Sequence, residues 1–374
     1  MVFDIQIIKK EKLNLKRVLV VGCGLYGATV ARLLCKNFRV YLIDKRNHIG
    51  GNCYSEFKNN IHVHKYGPHA FHTNSIKIWD FIRQYSDFND FRLKVIVNYD
   101  GKYYNFPINL ITLNNILGIK NLKEAEEFIQ NRKENNQNFQ DFVISKVGVN
   151  LYKIFYEGYT TKQWNKNPIE LPASIAKRIP IRLDFDENYF TDKYQGVPIN
   201  GYTRMFENML DHKNIEFNLN VDFFDNKKSL INDFDHVIYT GKIDQFFDYQ
   251  DGVLEYRSLK FREEYHDSTF QGNAQINYTN AEIPYTRIVE HKFFHNPSIK
   301  HTIVTYEYPD DYNPEKIPYY PIETENNKLL YFKYKSLADE MENFTFGGRL
   351  GTYSYMNMDQ IIGKAMNDCE KINI

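Results

Sequence analysis

The chain has 374 residues, more than one typical domain and enough for two or three units that share substantial cores and bury a large ligand. Lys plus Arg and Asp plus Glu number 47 each, so no basic field exists for nucleic acid to condense on. The opening residues lack the apolar stretch of a signal peptide, and four cysteines with no C-x-x-C pair point to free thiols, so the expectation is a cytoplasmic protein without membrane insertion.

Val18-Leu19-Val20-Val21 is a continuous apolar run before a glycine turn, which suits a strand buried on both faces of a parallel sheet. Ala28, Ala31, Leu34 and Cys35 then recur at helical spacing, and Arg39 to Asp44 reads as a second strand ending in a carboxylate. Gly22-Cys23-Gly24-Leu25-Tyr26-Gly27 between them is G-x-G-x-x-G, placed after a strand and opening a helix, with Asp44 about 20 residues on to meet a ribose. Its glycines let backbone N–H groups and a helix N-terminus approach a pyrophosphate. NAD and FAD share this fingerprint. A second pair, Gly50-Gly51 followed by Asn52, resembles the extended FAD signature of the glutathione-reductase-like flavoproteins, and a late Gly347-Gly348-Arg349 fits the same class, so FAD is preferred.

The segment His62 to Asn74 holds four histidines, but no cysteine or carboxylate cluster accompanies them, and His62 and His64 alternate as on a strand, so no metal is expected. From about Asp90 to Asn165 the pattern is helical, with Leu122, Ala125, Phe128 and Ile129 in one stripe and Phe139, Phe142, Val143 and Val147 in another. Ile215, Phe217, Leu219, Val221 and Phe223 alternate as in a strand, and His236 to Tyr239 leads into Gly241. Ala274 to Tyr278, Thr286 to His291 and His301 to Tyr306 are β-rich, and Met358 to Cys369 is a helix able to close the first unit. The fold class expected is α/β: a discontinuous Rossmann-like FAD-binding domain over 1–90, 191–241 and 323–374, a helical domain over 91–175, and an antiparallel β-sheet domain over 176–190 and 242–322.

The run Lys65-Tyr66-Gly67-Pro68-His69-Ala70-Phe71-His72-Thr73-Asn74 looks like the flavin-facing segment of the UDP-galactopyranose mutases. Gly158-Tyr159-Thr160-Thr161-Lys162-Gln163-Trp164 resembles that family's mobile-loop motif. The segments around Arg178 and Arg182, Asn200-Gly201-Tyr202, Glu255-Tyr256-Arg257, Pro284-Tyr285-Thr286-Arg287, Pro318-Tyr319-Tyr320-Pro321 and Gly347-Gly348-Arg349 follow in the family's order. The resemblance covers all but the first 15 or so residues. It departs at Asn357, where bacterial relatives often carry an acid.

The resemblance implies an isomerase that interconverts UDP-galactopyranose and UDP-galactofuranose for galactofuranose-containing glycans, with N5 of reduced FAD as nucleophile at the anomeric carbon. Arg178 and Arg287 would stabilise the departing diphosphate, with Arg257 a third candidate and His69 beside the flavin. FAD would rest on Gly22, Gly24, Gly27, Asp44, Gly50, Gly51, Asn52, His69, Arg349 and Met356. Phe155, Tyr159, Thr160, Trp164, Tyr189, Asn277, Tyr320 and Tyr355 would complete the substrate site. His72 would govern choice between UDP-galactose and its N-acetylated analogue, and a homodimer is expected. An amine-oxidase-type oxidoreductase would share the FAD fold but explains neither the arginines nor the Tyr-Trp motif.

Overall fold

The structure is a computed structural model that describes residues 15–130, 132–177 and 181–372. Two sheets organise it. The first strand, β1 (Arg17–Val21), has a fully buried Val-Leu-Val centre and lies parallel between β2 (Arg39–Asp44) and the strand His236–Tyr239. Ile215–Leu219 and Phe344–Phe346 add the two edges, all in parallel. Strands from three distant stretches thus share one sheet, as a discontinuous Rossmann-like unit requires. The helix α1 (Leu25–Leu34) buries nearly every side chain against the sheet, the helix Gly201–Leu210 and the helix Met358–Cys369. Tyr26 Oη donates to the Asp368 carboxylate at 2.6 Å across 342 residues of sequence, which ties α1 to the C-terminal helix.

The strand expected from Ile215 to Phe223 ends at Leu219, and Phe217 is exposed. It is an edge strand, so one of its faces is only partly covered. Asn220 turns at positive φ, and Phe223 enters a short 3-10 turn.

The second sheet has seven strands in the order Tyr320–Pro321, Tyr256–His266, Thr302–Asp311, Arg287–Glu290, Gln275–Tyr278, Val95–Tyr99 and Lys102–Phe106. It is antiparallel except between Gln275–Tyr278 and Val95–Tyr99, which run parallel. The helical stretch expected from residue 91 therefore opens with a hairpin that belongs to this sheet, and the helices begin at Leu110. Val95 and Val97 bury on one face, so the hairpin joins the core it shares with the helix Phe139–Tyr152. That helix runs through a π-helical turn, Lys153–Glu157, into the helix Gly158–Trp164. Among the described residues no helix is long and apolar enough to cross a membrane.

Candidate active site

A cavity of about 680 Å³ runs from the C-terminal ends of β1 and β2 to the face of the seven-stranded sheet, within the usual range for a site that encloses a large ligand. Its first end is built of glycine backbone. Gly22 has φ of +110°, and a Cβ there would lie 2.1 Å from the Thr240 hydroxyl, which itself donates to the Val21 carbonyl. Gly51, at φ +55°, would place a Cβ 2.8 Å from the Gly24 Cα, so the two glycine turns close on each other only because Gly51 lacks a side chain. No side chain caps the N-terminus of α1, so its leading N–H groups remain open to an anion. Asp44 accepts from the N–H groups of Cys23 at 2.8 Å and Arg46 at 2.9 Å, which fixes its carboxylate at the rim. Gly22, Gly24, Gly27, Asp44, Gly50, Gly51, Asn52, Arg349 and Met356 all line the cavity, and this uncapped, glycine-lined end fits an adenine dinucleotide.

His69 also lines the cavity. Its Nδ1–H donates to the Gly67 carbonyl at 2.9 Å, which leaves Nε2 as an acceptor, while its backbone N–H donates to His64 Nδ1 at 3.1 Å. Burial, reinforced by Arg349 and Arg287, pushes His69 down to about 4, so the ring is neutral at ordinary pH. Behind it His64 and His291 are wholly buried, and burial pushes His64 well below the usual imidazole range and His291 to about 3. His64, His69 and His291 form a neutral wall, and among the described residues no group of side chains could hold a metal ion.

At the far end Arg287 sets Nε at 2.8 Å and a terminal nitrogen at 2.7 Å from the same oxygen of Glu307, which is 1% exposed. Burial alone would weaken the guanidinium charge, but Glu307 more than offsets this, so Arg287 is held firmly cationic. The other Glu307 oxygen is buried without a partner and lies beside the backbone of Gly67, where a Cβ would approach it to 3.3 Å. Tyr320 stacks on Tyr355 at 6.2 Å and faces Trp164 at 6.4 Å between ring centres. Tyr353 holds a left-handed backbone at φ +43° while its hydroxyl donates to the Glu255 and Ile322 carbonyls, and this fixes the turn that presents Tyr355 and Met356. His72 stacks on Phe190 at 3.6 Å and bonds Asp192 at 2.7 Å, and both rings line the cavity with Tyr189.

Other expected residues take different places. Arg257 is buried with its Nε donating to the Gln163 carbonyl at 2.9 Å and its guanidinium paired to Asp311, so in this structure it fastens the end of the helix Gly158–Trp164. Asn165, at φ +49°, also donates to Asp311. Phe155 packs in the core between Tyr104 and Phe106, Thr160 is buried, and the Asn277 side-chain oxygen accepts from Gln275. Arg178 lies outside the described residues. Glu307 was not anticipated. Its signal is a carboxylate inside an otherwise apolar and tyrosine-rich strand, Ile303 to Tyr308, a pattern that burial penalises unless a cation faces it.

A family model for UDP-galactopyranose mutase matches residues 154–355, and one for an NAD(P)-binding Rossmann-like domain matches residues 20–85. The chain is 40% identical to a dTDP-fucopyranose mutase of Escherichia coli, over 96% of this chain and 99% of that one. It is 39% identical to the "Probable UDP-galactopyranose mutase" of Klebsiella pneumoniae, over 96% of this chain and 95% of that one. Among solved structures, a reduced UDP-galactopyranose mutase superposes with a TM-score of 0.73 over 95% of each chain at 14% identity, a likeness of fold.

Proposed function

The chain belongs to the UDP-galactopyranose mutase family, and from that premise we propose that it interconverts UDP-galactopyranose and UDP-galactofuranose with reduced FAD in the cavity. The carrying observation is that one cavity joins a glycine-built dinucleotide cradle, through neutral His69, to a partly buried arginine flanked by tyrosines. Gly22, Gly24, Gly27, Gly50 and Gly51 would receive the cofactor's pyrophosphate and Asp44 its ribose, with Asn52, Arg349 and Met356 along its length. Bound in reduced form, FAD supplies through N5 the nucleophile for the anomeric carbon.

The protein's own part is orientation and charge. Arg287, joined by Arg178, neutralises the diphosphate as it departs, and a guanidinium fork meets phosphate oxygens better than an ammonium. Tyr320 and Tyr355 donate to phosphate oxygens, while Tyr159, Trp164 and Tyr189 hold the nucleotide sugar. His69 keeps an acceptor nitrogen without adding charge. The sugar is rearranged with no net oxidation, and the product would feed galactofuranose-containing glycans in the cytoplasm, with the protein as a homodimer.

A second reading keeps the reaction and changes the substrate to dTDP-fucopyranose, because the relative of that name is as similar as the UDP-galactopyranose mutase. Chemically reduced, FAD-loaded protein should convert UDP-galactose to its furanose form, reversibly and without consuming reductant. Conversion of dTDP-fucopyranose alone would move the assignment to the second reading, and conversion of neither would overturn both.

A further inference from the structure

Lys162 lies on the helix Gly158–Trp164, three residues after Tyr159 and two before Trp164. Its ammonium does not face solvent. It donates to four backbone carbonyls of the connection between the strands Gln275–Tyr278 and Arg287–Glu290: Tyr278 at 2.8 Å, Asn280 at 2.8 Å, Ile283 at 2.9 Å and Tyr285 at 3.0 Å. An ammonium has three protons, so four acceptors at this range surround it much as oxygens surround a bound monovalent cation. Four carbonyl dipoles turned toward one point repel each other, and the connection keeps this shape only with a positive charge at its centre.

The same connection meets the helical segment at two more places. A Cβ on Gly158 would come within 2.2 Å of the Thr279 carbonyl, so the backbones touch there, and the Thr279 hydroxyl donates to the Ile154 carbonyl at 2.6 Å. The strands joined by the connection carry Asn277 and Arg287, and the helix carries Tyr159, near Arg287, and Trp164, which faces Tyr320.

We propose that Lys162 is a positioning residue: its ammonium, caged by four carbonyls, locks the nucleotide-holding helix to the strands bearing Arg287, so that base and diphosphate are gripped in one register. The proposal rests on the mutase reading above. The lock holds the helix up to Trp164, after which Asn165 turns into the left-handed region. Burial pushes the Lys162 ammonium down to about 8, against the pull of Glu282, so the lock has an alkaline limit. The charged groups facing this region are Glu282 on the connection, Asp100, whose carboxylate accepts from Asn280, and Glu157 at the end of the π-helical turn.

The test uses FAD-loaded protein and measures UDP affinity by calorimetry, turnover with UDP-galactose, flavin content and thermal unfolding. Lys162→Met and Lys162→Ala should keep FAD yet bind UDP on the order of tenfold more weakly, in keeping with the loss of a charge-assisted contact, and turn over more slowly. Ethylammonium ion should restore part of the UDP affinity of Lys162→Ala. In the wild type, UDP affinity should fall through an alkaline transition near 8 that Lys162→Met lacks. Hydrogen exchange on the wild type decides the question even if the variants fold poorly, because UDP should slow exchange in residues 158–164 and 279–286 together, and protection of one stretch without the other overturns the proposal. So do variants with wild-type affinity. A wild type that neither binds UDP nor isomerises UDP-galactose instead removes the UDP-galactopyranose reading itself.

Discussion

Glu307→Ala removes the only carboxylate bonded to Arg287 among the described residues and leaves a guanidinium that is 17% exposed facing an empty site. Two N–H contacts of 2.7 and 2.8 Å converge on one oxygen. At an effective dielectric near 20, the gross attraction over roughly 3 Å is about 6 kcal/mol, much of it spent on desolvating both ions. Breaking such a pair from one side strands the other charge, and this costs about 3–5 kcal/mol of stability. Glu307→Gln retains an oxygen for Arg287 but no charge, and should cost about 1–3 kcal/mol. Denaturant unfolding of the FAD-loaded proteins measures the stabilities. Turnover should fall further than UDP affinity in Glu307→Ala, because a freed guanidinium still attracts phosphate but no longer holds one orientation. Unfolding and turnover both at wild-type level in Glu307→Ala would refute the claim that this carboxylate sets Arg287.

Acid should destabilise the protein through its neutral histidines. Their folded pKa values lie below the ordinary 6.5, so unfolding takes up protons, and stability is constant above about 6.5 and falls as pH drops toward 3; His291 alone accounts for roughly 4–5 kcal/mol across that window. An unfolding midpoint unchanged from pH 7 to pH 4.5 would show that these rings are not buried neutral. Gly51→Ala should yield protein with little bound flavin, read from its visible absorbance, because the new methyl meets the Gly24 backbone at 2.8 Å from a left-handed φ; a full complement of flavin would mean the two turns can separate at no cost. His72→Arg should raise relative use of the N-acetylated substrate, since the ring stacked on Phe190 and held by Asp192 borders the cavity, with the shift on the order of 1–3 kcal/mol. An unchanged ratio of catalytic efficiencies would place sugar discrimination elsewhere.

The nucleotide end was legible because its chemistry is local: the first glycines and Asp44 sit within one βαβ unit, and Gly27 and Gly51 are required by close backbone approaches to Gly22 and Gly24. The substrate end was less so. Arg287 stood out by resemblance, yet Glu307 comes from a neighbouring strand, and only the register pairing Arg287 with Glu307 brings them together. Arg257 matched a motif but its environment, Gln163 and Asp311, is assembled from three separate stretches of chain. The hairpin Val95–Phe106 was hidden because a parallel neighbour, Gln275–Tyr278, lies far away in sequence and the apolar helical stripes that follow dominate the pattern.

The way the five-stranded sheet is threaded has a consequence for biosynthesis. A ribosome releases β1, α1 and β2 early, but the strand that flanks β1 arrives with His236–Tyr239, the edge with Phe344–Phe346, and the partner of Tyr26 only at Asp368. Until then the nascent nucleotide-binding unit exposes an unpaired strand edge and the apolar flank of α1, the kind of surface that aggregates or recruits chaperones. Pairings this distant in sequence also make for slow folding. Loading of the proposed cofactor would therefore follow translation, and a chain terminated before Phe344 is expected to be cleared as misfolded rather than to accumulate.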